Sequence, residues 1–137
     1  MELTNIKEII DKINEAKGFT KHNNMLITNA GVGRAEGTLR FSQETANHYG
    51  SIHGGALFSL ADYVAGVAAA SYGTICVTLD AGIHYFKPVS SGIVRAVASE
   101  TSKSNKTAMY EVCLYDEEEV LVAKAAFTYY NTEKPIR

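Results

Sequence analysis

The sequence predicts an α+β fold in which a five- to six-stranded antiparallel sheet wraps one long helix. Three observations predict it. The segment from Gly54 to about Tyr72, GGALFSLADYVAGVAAASY, is apolar on nearly all sides and rich in small residues. That is the pattern of a helix buried around its whole circumference. Two strand-like segments precede it and four follow, separated by short turns. No internal repeat, linker or low-complexity stretch divides the 137 residues, so a single domain over 1–137 with one core is expected.

Residues 3–16 place Leu3, Ile6, Ile9, Ile10 and Ile13 at helical spacing with charged residues between them, an amphipathic surface helix that Gly18 stops. Segments 24–30 and 34–42 read as two strands joined by Gly31-Val32-Gly33, a hairpin connection. The glycine spacing does not match a phosphate-binding G-x-G-x-x-G, and no helix follows it. A polar loop over 43–53 carries Asn47, His48, Gly50 and His53, and Gly73 fits the end of the long helix. Strands are expected over 75–86, 92–102, 107–115 and 120–130. In the last, Leu121, Ala123, Ala125, Phe127 and Tyr129 share one face.

Composition narrows the function. Hydrophobic residues make up 46% and charged residues 20% of the chain, close to globular averages. The net charge is −2 without a basic cluster, which argues against a nucleic-acid partner. The longest unbroken apolar run, Val64 to Ala70, is far short of the roughly 18 residues that cross a membrane. The charged N-terminus does not resemble a secretory signal, so the expected location is the cytoplasm. Cys76 and Cys113 form no C-x-x-C pair and read as buried thiols in a reducing compartment. The histidines make no metal spacing, no metal site is expected, and no G-x-S-x-G elbow is present.

The residue that stands out is Asp62, the one ionisable carboxylate in the long helix. Taking a bare carboxylate out of water costs several kcal/mol unless it is paired or hydrogen-bonded. No cation lies one turn away: positions 58, 59, 65 and 66 are Phe, Ser, Ala and Gly. Functional use of such a group is one reading; the plain alternative is that Asp62 reaches solvent or ties down a loop. The helix begins at His53-Gly54-Gly55, where unpaired N–H groups and the positive end of the macrodipole suit a developing oxyanion. Two glycines alone would equally mark a tight turn.

Taken in order, Asn47-x5-His53-Gly54-Gly55-x6-Asp62 (NHYGSIHGGALFSLAD) resembles the hotdog-fold acyl-CoA thioesterases of the phenylacetate-degradation type. Downstream, VTLDAGIHYFKPVSSG resembles the strand that follows the helix in that family, with its aromatic-x-x-Pro ending at Pro88. The resemblance spans roughly 40–130. It implies that the Gly54 amide polarises the thioester carbonyl, that Asp62 is nucleophile or general base, that Asn47 and His53 orient the carbonyl and the turn, and that Thr78 helps place water. Asp80 and His84 share the polar side of that strand and are rivals for the last task. Coenzyme A enters as part of the substrate, with no resident cofactor. Lys87, Lys103 and Lys106 are the cations placed to meet its phosphates, although each also reads as a solvated surface lysine. Gly55 adjoins the carbonyl-binding turn, while Tyr72, Tyr85 and Phe86 are candidates to line a pocket for an aryl or aliphatic group.

These roles imply more than one chain. Gly54 and Asp62 are eight residues apart, about 12 Å along a helix axis. A reacting carbonyl must sit roughly 3 Å from both the donor and the attacking group. Two antiparallel helices solve this by placing Gly54 of one beside Asp62 of the other, twice per two-fold homodimer. The resemblance implies the same arrangement, with dimers pairing into homotetramers. The rival functions on this fold are a 3-hydroxyacyl dehydratase or enoyl hydratase, whose His-plus-acid motif is not found, and a non-catalytic acyl-CoA-binding module.

Overall fold

The computed structural model describes residues 6–136. The elements run α1 (Ile6–Asn14), α2 (Phe19–His22), β1 (Met25–Gly31), β2 (Arg34–Arg40), α3 (Gly54–Ala70), β3 (Thr74–Tyr85), β4 (Ile93–Lys103), β5 (Thr107–Tyr115) and β6 (Leu121–Pro135). The six strands form one sheet in the order β1-β2-β4-β5-β6-β3, antiparallel throughout. The sheet's concave face holds α3, the hotdog arrangement that the resemblance implies.

The first three residues of the helix expected over 3–16 lie outside the described residues; the described helix ends at Asn14, two residues early. Ile10 and Ile13 pack against the core. The short α2 is not anticipated: Gly18, with φ 126°, bends the chain, and one helical turn follows, held by His22 N–H on Gly18 O. The β1–β2 hairpin turns at Val32-Gly33, as expected, with Gly33 at φ 71°. Its Gly33 N–H donates to Ser71 Oγ at 2.8 Å, tying the hairpin to the end of α3. β6 runs on to Pro135, five residues past its expected end, to pair the full length of β3.

The core lies between α3 and the concave sheet face. Leu60, Ala61, Val64, Ala65 and Ala68 are inaccessible, facing Val94, Ala96, Ala98, Val112 and Leu114. Each fully buried Leu or Val contributes about 1.5–3 kcal/mol relative to exposure. Small residues let helix and sheet approach closely: a Cβ on Gly37 would come within 2.8 Å of Val64 Cγ2 and of Leu26 O. In β6 the expected face is displaced at its start, since Leu121 is exposed and Val122 buried. The register slips between Leu114 and Tyr115, and that irregularity turns the first residues over.

Two expectations fail on burial. The helix α3 is not covered all round: Gly55 and Asp62 are exposed, and Ser59 and Gly66 only half-covered, because the curled sheet reaches the other sides of the helix. Cys76 and Cys113 are free but half-buried rather than buried. Among the described residues, no helix is long and apolar enough to cross a membrane.

Candidate active site

Asp62 projects from the uncovered stripe of α3 toward β3 and β6. Thr78 Oγ1 on β3 donates to Asp62 Oδ1 at 2.8 Å. The Tyr129 hydroxyl on β6 lies 2.6 Å from the same Oδ1 and 2.8 Å from the Asp62 carbonyl oxygen. Both hydroxyls therefore converge on one carboxylate oxygen, and among the described residues nothing donates to Oδ2. Burial pushes the Tyr129 phenol far above the usual tyrosine range, and its hydrogen bond to Asp62 adds to the effect. It stays a donor at any working pH.

The sequence reading misses Tyr129, taking it for a core residue. The available signal is that a tyrosine on a buried strand face needs a partner for its hydroxyl. Tyr129 is 3% exposed, and its ring meets Tyr110 edge-on at 5.9 Å. Asp62 is an exposed carboxylate in this chain, not the buried one expected. The reason is the same uncovered stripe: on that side of α3 the described residues leave open space beside Asp62. Thr78 is brought to Asp62, while its rivals Asp80 and His84 are exposed and make no side-chain hydrogen bond among the described residues.

A second cluster forms at the N-terminus of α3. His53 is the N-cap, and its Nδ1 accepts the Gly55 N–H at 2.8 Å. The His53 carbonyl accepts the N–H groups of Ala56 and Leu57. The Gly54 N–H has no acceptor among the described residues, and it points out of the positive end of the helix. The Tyr85 hydroxyl donates to Gly54 O at 2.6 Å. A Cβ on Gly54 would sit 3.2 Å from that ring, so glycine lets the tyrosine brace the turn. Asn47 does not reach Asp62. Its Oδ1 accepts from Tyr49 N–H at 2.9 Å and Ser51 N–H at 3.0 Å, fixing the loop that leads into the turn.

The remaining candidates spread apart. Phe86 and Pro88 are exposed beyond Tyr85. Lys87 pairs with Asp116 at 3.0 Å, which raises its pKa. Lys106 pairs with Glu133 at 2.8 Å, and Lys103 sits 4.6 Å above the Tyr72 ring, both at the end where α3 terminates. Within one chain, α3 runs unbroken between Gly54 and Asp62, so the two clusters stay about 12 Å apart along the helix.

Solved structures share this arrangement of elements. The E. coli PaaI protein from the phenylacetic acid degradation operon superposes with a TM-score of 0.87 at 24% identity, covering 93% of each chain, which establishes the fold. A PaaI phenylacetic acid degradation protein from Thermus thermophilus, solved as a variant, matches at TM-score 0.78 and 29% identity over 82% of this chain and 96% of that one. A Streptococcus mutans protein solved with acetyl CoA matches at TM-score 0.80 and 28% identity, over 89% of this chain and 97% of that one. In sequence, residues 49–123 match the thioesterase superfamily, and that span holds the helix turn, Asp62 and Thr78. The chain thus belongs to the thioesterase superfamily, a family of thioester hydrolases built on the hotdog fold.

Proposed function

We propose that the protein hydrolyses acyl-CoA thioesters to a free acid and coenzyme A, with Asp62 of one copy and the Gly54 amide of a second copy acting on one carbonyl. One observation carries this reading. Among the described residues, Asp62 Oδ1 is held by two hydroxyls while Oδ2 has no donor, and the only unpartnered amide of the His53-Gly54-Gly55 turn lies too far along the same helix to serve it. The acyl-CoA class is supported by the related protein solved with acetyl CoA.

The edges of the sheet support a second copy. The β1 edge is covered by α1, where Asn14 takes the place of a strand and exchanges two 2.8 Å hydrogen bonds with Ile27. Among the described residues no strand pairs with the outer edge of the twelve-residue β3, and Ile75 is 44%, Val77 47% and Leu79 58% exposed. A long apolar edge is a template for pairing. Two β3 edges meeting about a two-fold axis would lay the α3 helices side by side and antiparallel, each Gly54 toward the other's Asp62.

In this reading, Oδ2 of Asp62 either takes a proton from water, which then adds to the carbonyl, or adds itself to give an anhydride that water opens. In both, the Gly54 N–H stabilises the oxyanion, the carbon–sulfur bond breaks, and the proton released from water ends on the thiolate. His53 and Asn47 hold the turn, and Thr78 and Tyr129 hold the carboxylate. Lys87, close to Tyr85 in the chain, is the cation we assign to the coenzyme A phosphates. The free Cys76 and Cys113 fit the reducing cytoplasm in which we place the protein.

Release of free thiol from a panel of acetyl, medium-chain, long-chain and aromatic acyl-CoAs tests the reading. Turnover on at least one supports it. A folded protein that hydrolyses none, yet hydrates a 2-enoyl-CoA, overturns it.

A further inference from the structure

A groove of about 830 Å³ runs beside Asp62, between α1, α3 and β3. At one end are Asp62, Thr78 and Tyr129; at the other are Ala70 and Cys76, whose Sγ lies 3.6 Å from Ala69 O. Its walls are largely aliphatic. Ile9 and Ile13 of α1, Val67 of α3, Val77 of β3 and Ile136 line it together with Tyr63. The charged residues on its wall are Asp62 and Lys12. The surface helix α1 is therefore part of the wall, a role the amphipathic pattern alone does not reveal.

In the middle of the groove stands Gly66. It occupies the interior of a helix, where glycine is the poorest former after proline. Its φ is not positive. A Cβ there would meet Tyr129 Oη at 3.5 Å and Cε1 at 3.9 Å, ordinary contact distances. Gly37 is different, because a Cβ there would collide at 2.8 Å. Neither its backbone nor its packing among the described residues requires glycine at 66. What the missing side chain preserves is open groove one turn beyond Asp62.

We infer that the groove takes the acyl group of the substrate, that Gly66 sets the length it admits, and that the preferred substrates carry an apolar chain of medium length. This rests on the thioesterase reading above. Asp62 to Ala70 spans eight residues, about 12 Å of helix. An extended hydrocarbon built from bonds of about 1.5 Å advances about 1.25 Å per carbon, so the groove fits a chain of about eight to ten carbons. A carbonyl beside Asp62 Oδ2 would send that chain past Gly66 toward Ile13 and Ile136. The aliphatic lining offers no partner for a second carboxylate except Lys12.

The test is kcat/KM for straight-chain acyl-CoAs from acetyl to hexadecanoyl, in the parent, Gly66→Ala and Gly66→Leu. The parent should peak at octanoyl to decanoyl. Gly66→Ala, which the fold accommodates and which should raise the melting temperature, moves the peak shorter. Gly66→Leu lowers the decanoyl-to-butyryl ratio by at least about tenfold. A parent that prefers acetyl, or a profile indifferent to residue 66, overturns the inference. So does an equal loss at every length accompanied by a changed assembly state, since that would assign Gly66 to contact between copies. Calorimetric binding of decanoyl-CoA to Asp62→Asn, with and without Gly66→Leu, separates the two readings. Weaker binding on adding Gly66→Leu, with no hydrolysis by the parent, upholds the groove and overturns the hydrolase. Hydrolysis with a length profile blind to residue 66 does the reverse.

Discussion

Tyr129 meets Asp62 twice, with its hydroxyl 2.6 Å from Oδ1 and 2.8 Å from the carbonyl oxygen of the same residue. With Thr78 on the same Oδ1, this fixes the carboxylate plane and leaves one oxygen to act. A buried tyrosine so placed links the core of the sheet to the reacting group.

Removing that hydroxyl separates positioning from packing. In Tyr129→Phe the ring keeps its edge-on contact with Tyr110, so stability should fall by only about 1 kcal/mol. Turnover should fall by about tenfold with KM nearly unchanged, the pattern of an interaction felt in the transition state. Steady-state kinetics beside a thermal melt checks both.

Asp62→Asn keeps an oxygen for Thr78 and Tyr129 to bond but removes the charge. Because Asp62 is exposed in this chain, the fold should survive with its melting temperature unchanged or higher. Turnover on the best acyl-CoA should fall at least about a hundredfold. Retention of more than about a tenth of parental turnover would contradict the role assigned to it.

The clip between α1 and β1 is open to the same treatment. Asn14 both donates to Ile27 O and accepts from Ile27 N–H, at the point where β1 slips register against β2. Asn14→Asp can accept but not donate, and Asn14→Ala can do neither. Stability should fall in that order, by about 1 kcal/mol per bond lost, with faster hydrogen exchange in α1 as the local readout.

The turn before β6 predicts a pH dependence. The Asp116 carboxylate accepts the Val120 and Glu118 N–H groups and pairs with Lys87. Those contacts, Val120 N–H foremost, hold its pKa below the ordinary value, while the pair raises that of Lys87. A depressed carboxylate stabilises the fold above its unfolded value of about 3.9 and loses this as pH falls through the folded value. The lysine contribution is present below about 10.4 and is lost as pH rises through its raised value. The melting-temperature gap between the parent and Asp116→Asn should be widest near neutral pH and close as the solution is acidified below about 4.

Much of this was legible from local patterns. Alternation marks the strands, Gly33 marks the hairpin, and the order of His53, Gly54, Gly55, Asp62 and Thr78 singles out residues that the fold gathers at α3, although the hydrogen bond from Thr78 to Asp62 is not itself expected from the sequence. What was not legible depends on distant partners. Tyr129 lies 67 residues from Asp62, and only the strand order brings them together. Lys87 finds Asp116 across 29 residues. The small, apolar stripe of α3 reads as buried in sequence, yet whether it is covered depends on what lies beside it, and the described residues of one chain leave a groove open along it.

The composite site can be tested by mixing two inactive proteins. Gly54 is the first residue of α3, where proline is favoured and the N–H it removes is the one assigned to the oxyanion. Gly54→Pro should be inactive, and Gly54→Ala, which keeps the N–H while Tyr85 yields slightly, should retain activity. A dimer of one Gly54→Pro chain and one Asp62→Asn chain contains one intact site and one doubly altered site. After the two are exchanged to equilibrium in equal amounts, half the dimers are mixed, and activity should rise from near zero to about a quarter of the parental value. A mixture that forms mixed dimers yet stays as inactive as its components would contradict a site shared between two chains.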